Sequence, residues 1–372
     1  MIMLMPYNVQ WKSDLSNLIN STKINLKKNK TMKKGMSLQE LAQEVQRQQD
    51  AKRDFLVSAK DVKPFVHNNT LELGFGIQDN NNELFTAPLT SNGHIQLGQA
   101  CGIPKSYYDK MLQHPELLCT NVQHWLSGSV DKKTIRTLDG NVRAILSDKY
   151  RRLDNYDLAM NVLPMLNDAD AVVDSCNITE NKFYLKAITH KVQGEVKKGD
   201  VVMAGIIISN SETGNGSLAV KPLIYRLVCS NGAIADDYSM RKYHVGRGAD
   251  TNQIEFSNET LRADDKAFWL KVRDLVKFSL SQTTFEKIVE SMRVSTTKTI
   301  DNPTKALELV TKKFSFNQFE SDNVLAHLIQ GGDLTSWGLG NAVTRMAQDH
   351  ESYDRSTELE SIGFQIMQNT WN

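Results

Sequence analysis

The chain lacks most of the devices by which a sequence announces its chemistry. Its four cysteines stand far apart, at Cys101, Cys119, Cys176 and Cys229, with no CxxC pair. That excludes the usual zinc-ribbon and thioredoxin-like spacings and suits free thiols in a reducing compartment. No apolar run approaches the roughly 20 residues a membrane helix needs; the best, VVMAGIII at 201–208, has eight. The opening MIMLM is too short for a secretory core and has no basic segment before it. A cytoplasmic protein without a membrane partner is expected. Charge of one sign is missing too: 44 basic and 43 acidic residues leave a net charge of +1, so the whole chain has no field that would draw nucleic acid.

The catalytic signatures are equally sparse. There is no GxxxxGK[ST] for nucleotide hydrolysis, no HExxH and no GxSxG. Gly214-Asn215-Gly216 lacks the third glycine of a dinucleotide fingerprint and lies between strand candidates, where a hairpin turn is the simpler reading. His114-Pro115-Glu116 matches half of a deaminase signature, but no PCxxC follows to complete the zinc site. No catalytic residue, cofactor or metal ligand set is therefore assigned. Asp148, Asp154 and Asp157 lie close enough in sequence to suggest a metal-dependent nuclease, and pairing with neighbouring Arg and Lys is the plainer use for them.

What remains is a globular body with a distinct front end. A length of 372 residues allows one to three domains and a core that needs no disulfides. Residues 1–35 hold seven lysines against one acid, Asp14, leaving the rest of the chain with 37 basic and 42 acidic residues. A leader of this kind can bind nucleic acid, but a poorly ordered, solvated tail is the expected reading. Order is expected to begin at Met36, where Ser37-Leu38-Gln39-Glu40 has capping-box spacing. Met36 is accordingly expected to be the functional start, or residues 1–35 to be dispensable. Leu38, Leu41, Val45 and Phe55 form a narrow apolar stripe, read as a surface helix that docks on something, such as a neighbouring subunit.

Three regions follow: the leader 1–35, an α+β core over 36–255, and a helical region over 256–372 packed on it. Residues 94–128 read as short helices around Gly102-Ile103-Pro104; helix-turn-helix spacing suggests duplex reading, and core packing is the alternative. Residues 141–149 read as a strand and Tyr156–Leu166 as a helix. Strand candidates follow at 182–190, 201–208 and 217–229, joined by turn formers such as Lys198-Gly199-Asp200. Connections this tight imply an antiparallel sheet. Beyond 256 the spacing is helical, with a second capping box expected at Thr283–Glu286, a stop at Gly331-Gly332 and a helix over about 337–348. The fold class is α+β: an antiparallel-sheet core with a helical C-terminal third.

Two basic clusters carry the functional expectation. The first holds Lys132, Lys133, Arg136, Arg143, Lys149, Arg151 and Arg152 around Tyr150; the second, RKYHVGRG at 241–248, holds Arg241, Lys242, Tyr243 and Arg247. Cations that neutralise phosphate, interleaved with an aromatic face for a base, are what single-strand binding needs. Four stretches also resemble one family: MSLQELAQEVQRQQDAKRDFLV (36–57), AILSDKYRRLDNYDL (144–158), SNSETGNGSLAVKPLIYRLVCSNGAI (209–234) and GLGNAVTRMAQDHESYDRSTELESIGFQI (338–366). They are similar to the DUF932 proteins of bacteriophages and plasmids, over roughly residues 36–366, and the leader has no counterpart there. The resemblance transfers no activity; it implies a mobile-genome context near replication and recombination. The expectation is a protein that binds single-stranded DNA, as an annealing-type recombination factor, with a homo-oligomer and phage or host replication and recombination proteins as partners. A factor that binds only a protein, through its apolar C-terminal helices, is the alternative from another class.

Overall fold

Helix α1 (Leu38–Ala51) begins where the sequence signals it: the Glu40 amide donates to Ser37 Oγ at 3.2 Å and the Ser37 amide to Glu40 Oε2 at 2.7 Å. In the computed structural model, which describes residues 35–76, 84–150, 152–228, 230–236, 240–241 and 258–372, this helix buries Leu38, Leu41 and Val45. The stripe does not continue to Phe55. The helix ends at Ala51, and Phe55 belongs to strand β1 (Arg53–Ser58), where Phe55 and Val57 alternate with Asp54 and Leu56 at a period of two. That period, not the helical one, sets which sheet face each side chain takes.

Strand β1 pairs antiparallel with β5 (Lys132–Leu138), which pairs with β6 (Asn141–Ser147). A second small sheet holds β2 (Lys63–His67), β3 (Thr70–Phe75) and β4 (Phe85–Pro88). Helices α2 (Ser91–Ala100), α3 (Lys105–Met111) and α4 (Pro115–Ser127) close a common core over Phe55, Leu73, Phe75, Leu97, Tyr108, Leu118, Val122 and Ile135. The segment with helix-turn-helix spacing thus packs inward. Gly98 lies so close to the Tyr108 ring that a Cβ there would stand 2.9 Å from it.

Helix α5 (Asn155–Asp168) leads into the large antiparallel sheet: β7 (Ala171–Ile178), β8 (Phe183–Glu195), β9 (Val201–Asn210), β10 (Ala219–Arg226) and β11 (Asn231–Ile234), in that spatial order, with β12 (Met240–Arg241) pairing further along β10. The apolar run VVMAGIII is the central strand β9, and Ile206, Ile207 and Ile208 are all buried. One sheet face sets Leu185, Ile206 and Ile208 against Leu41 of α1, Leu158 and Val162 of α5, and Val272 of α6 (Asn258–Ser279). The other sets Tyr184, Ile207, Leu223 and Tyr225 against Tyr353.

The helical third continues with α7 (Gln282–Ser295), α8 (Pro303–Phe314), α9 (Gln318–Gly331), α10 (Ser336–Asp349) and α11 (Tyr353–Gln368). The α+β class with an antiparallel core and a helical C-terminal third is therefore the observed one. The box expected at Thr283–Glu286 does not form: both residues lie inside α7, which Ser281 caps by accepting from the Thr284 amide, and Gln282 donates to Glu286 at 2.8 Å. Helix α9 stops at Gly332, in the left-handed region at φ 64. No helix among the described residues is long and apolar enough to cross a membrane.

Candidate functional site

The first small sheet has two unlike faces. Its apolar face covers the α2–α4 core; its other face carries Asp54 and Arg136, registered directly opposite each other on β1 and β5. The centre of that polar face does not meet water. It packs on the β9–β10 connection and the start of α5, and Arg136 is 0% exposed. Arg136 donates to Asp54 Oδ1 at 3.0 Å, to Asp154 Oδ1 at 2.6 Å and to the Glu212 carbonyl at 3.0 Å. Lys52 reaches Asp154 Oδ2 at 2.5 Å. Burial alone would favour a neutral Arg136, but the Asp154, Asp54 and Glu212 charges outweigh it and hold its pKa well above the ordinary value. For Asp154 the same contest, burial against Arg136 and Lys52, ends with the carboxyl well below its usual range.

Arg143 joins this group through a β-bulge. Arg136 pairs with Ala144 and Thr137 with Val142, so Arg143 is the extra residue on β6, and such a residue re-aims its side chain. Its guanidinium donates to Glu212 Oε2 at 2.5 Å, while Glu212 Oε1 accepts the Asn155 amide at the first turn of α5, 2.6 Å away. Glu212 is thus the buried hub that fixes the loop between β9 and β10. Around it lies a shell of amides and hydroxyls: Asn92 donates to the Arg143 carbonyl at 2.8 Å, Gln96 to the Thr213 carbonyl at 2.7 Å, and Asn210 to Asn155 Oδ1 at 2.9 Å.

The first basic cluster is therefore split by the sheet. Arg136 and Arg143, expected as phosphate contacts, are instead interior and engaged by Asp54, Asp154 and Glu212. The outer members form a rim. Lys132 and Lys149 are exposed, and Lys133 is half-buried and pairs with Asp131 at 3.0 Å. Because Lys133 registers with Ser147, the start of β5 and the 147–150 turn share one end of the sheet. Tyr150 donates its hydroxyl to the Ser211 carbonyl at 3.0 Å, tying this turn to the β9–β10 loop, and burial pushes its pKa upward. Arg152, its side chain 31% exposed, lies 3.5 Å from Asp54. Arg151 lies outside the described residues.

Of the second cluster, the backbone of Arg241 is described: it pairs with Ala219 in β10, which pairs in turn with Ser209 at the end of β9. Lys242, Tyr243 and Arg247 lie outside the described residues. The point where the second cluster leaves the sheet is thus the same sheet end that holds the Ser211–Thr213 loop. Sequence reasoning missed Lys182, which precedes β8 and runs beside Gly216, where a Cβ would stand 3.1 Å from its Cε. The signal was present as a lysine in the turn before a strand that pairs with β9. Of the three acids read as a metal site, Asp154 is engaged by Arg136 and Lys52, and no group of three or more metal-ligating side chains is found among the described residues.

The profile of one protein family, described as "Domain of unknown function (DUF932)", matches residues 147–366, more than half of the chain. It begins at the last residue of β6, so the buried network joins residues on both sides of that boundary. No curated protein and no solved structure matches the chain.

Proposed function

The chain belongs to the DUF932 family, and from that premise we propose that it binds single-stranded DNA along the basic rim at the Ser211 end of its large sheet, as an annealing-type factor of a mobile genome. The observation that carries this reading is convergence. The 147–152 segment is tied to the β9–β10 loop through Tyr150, and Arg241 emerges from β12 at the same sheet end. Tyr150 and the backbone of Arg241, some ninety positions apart in sequence, thereby share one sheet end. Lys132, Lys149, Arg151, Arg152, Arg241, Lys242 and Arg247 would meet phosphates, and Tyr243 would offer its ring to a base. Arg136 and Arg143 would act indirectly, by fixing the loop.

Annealing asks for this and little more: one strand's backbone held by cations, its bases left free to pair. The near-neutral whole chain means that attraction must be local. With four to six phosphate contacts, log K should fall with log salt at a slope of about −3 to −4, taking about −0.7 per contact. The test is a titration of the full chain against an oligothymidylate at several salt concentrations. Arg151→Glu and Arg247→Glu are each expected to weaken binding and flatten the slope by about one unit or more. Tyr243→Ala is expected to cost about 1–3 kcal/mol with little change of slope, since stacking releases no counterions. If binding and slope survive both charge reversals, the leader lysines are responsible and the reading fails.

A further inference from the structure

Within that reading, and resting on it, the tip of the β9–β10 loop has a property that an ordinary surface turn lacks. Ser211, Glu212 and Thr213 are buried, while Gly214 and Asn215 stand exposed above them. The exposed part is held from several sides. Asn215 Nδ2 donates to Asn92 Oδ1 and to Asn181 Oδ1, each at 2.9 Å, and the Asn215 amide donates to Ser211 Oγ at 3.0 Å. Gly214 sits at φ +80, and a Cβ there would stand 2.6 Å from Leu146 Cδ2, so only glycine fits. The backbone of an exposed tip is thus presented in one conformation, with Leu146 packed against Gly214 and the Lys182 stem against Gly216.

Lys182 is built into the same feature. Its turn is closed by Thr179 Oγ1, which accepts the Lys182 amide at 3.0 Å and donates to Asp354 Oδ1 at 3.0 Å, anchoring the turn to the first residues of α11. Its chain passes Gly216 closely enough that an alanine there would press on it. Lys182 has no acidic partner among the described residues, unlike Lys52, Lys186 or Lys221. A cation set beside an exposed tip that hydrogen bonds hold in one conformation is a fitting seat for a phosphodiester, because the charge stands at a fixed, solvent-facing backbone.

We propose that Lys182 and the Gly214–Asn215–Gly216 tip form a further phosphate contact, which carries the DNA backbone across the loop between the two basic segments. The occupant is the phosphodiester of the strand; inorganic phosphate shares its chemistry and is the other source to be distinguished.

Lys198 is the control. It is an exposed lysine on the β8–β9 turn, at the opposite end of β9, about 30 Å away at the usual strand rise. In oligothymidylate titrations of the full chain, Lys182→Gln should flatten the salt slope by about 0.7 while Lys198→Gln leaves it unchanged and Lys182→Arg restores it. Replacing chloride by inorganic phosphate at equal ionic strength should not remove the difference between wild type and Lys182→Gln. Should inorganic phosphate abolish that difference, Lys182 holds a free anion and its assignment to the strand is overturned. If Lys182→Gln matches Lys198→Gln while Arg151→Glu or Arg247→Glu flattens the slope, the tip contact is wrong and the DNA reading stands. If none of the variants alters the slope, both fall.

Discussion

Two buried ionic groups hold layers onto the large sheet, and they are built on opposite plans. Beneath α11, Lys186 of β8 meets Glu360 at 2.6 Å with both side chains 0% exposed; Gln348 adds one bond to Glu360, and the Tyr353 ring lies 5.0 Å from the ammonium. This is a closed pair with no route to solvent. At the other junction, Lys52, Asp54, Arg136, Arg152, Asp154, Arg143 and Glu212 branch from a dry centre to the half-exposed Arg152. A closed pair can only fix a helix. A branched one can fix a loop and still present cations at its edge, which is why the candidate site belongs to the second junction.

The comparison makes its largest prediction at the closed pair. Lys186→Met or Glu360→Leu alone should destabilise by about 3–5 kcal/mol, because each leaves an uncompensated buried charge, whereas the double variant should return to within about 1 kcal/mol of wild type or exceed it. Denaturant unfolding of the three variants measures this, and a double variant as unstable as the singles would contradict it. Arg136→Met should cost less, about 2–3 kcal/mol, since Asp154 keeps Lys52 and Asp54 keeps Arg152. An Arg136→Met loss larger than that of Lys186→Met would show that the branches share no load.

How much of this was legible in the sequence follows from which faces meet. The Ser37–Glu40 box, the central strand 201–208 and the Gly332 stop were readable because their signals are local. The polar face of the first sheet was not. Asp54 precedes Phe55 and Arg136 follows Ile135, as polar residues do on a strand with one face in water, and nothing in one dimension tells a polar face buried on a polar loop from a solvated one. The Arg143 bulge was invisible for a related reason, since it exists only relative to β5. Helix α8 was overlooked although Asn302-Pro303 is an N-cap followed by proline at the first turn, a signal that could have found it. The two basic segments were visible from composition; that the backbone of Arg241 lies at the Ser211 end of the sheet required the pairing of Ala219 with both Ser209 and Arg241.

Acid sharpens the comparison further. Asp154 is held below the ordinary carboxylate range, so its contribution is complete above the unfolded value of about 3.9 and is lost as pH falls toward the folded one. The stability gap between wild type and Asp154→Asn should therefore be widest near neutrality and narrow between about pH 5 and pH 2. A gap that is constant with pH would mean that the carboxylate charge does not matter. The smallest effect belongs to neither junction: Ser37→Ala should cost about 1 kcal/mol by opening the capping box. A loss of several kcal/mol, read in the same unfolding assay, would mean that the α1 start is more than a local cap.

Whether one strand touches both basic segments at once decides between DNA binding at the sheet end and binding by the leader alone. Hydrogen exchange of the full chain, with and without a saturating oligothymidylate, reads this segment by segment. The expected result is joint protection of peptides spanning 147–152 and 240–248, with the Lys186–Glu360 layer unchanged. Protection confined to residues 1–35, or to neither basic segment, would contradict it.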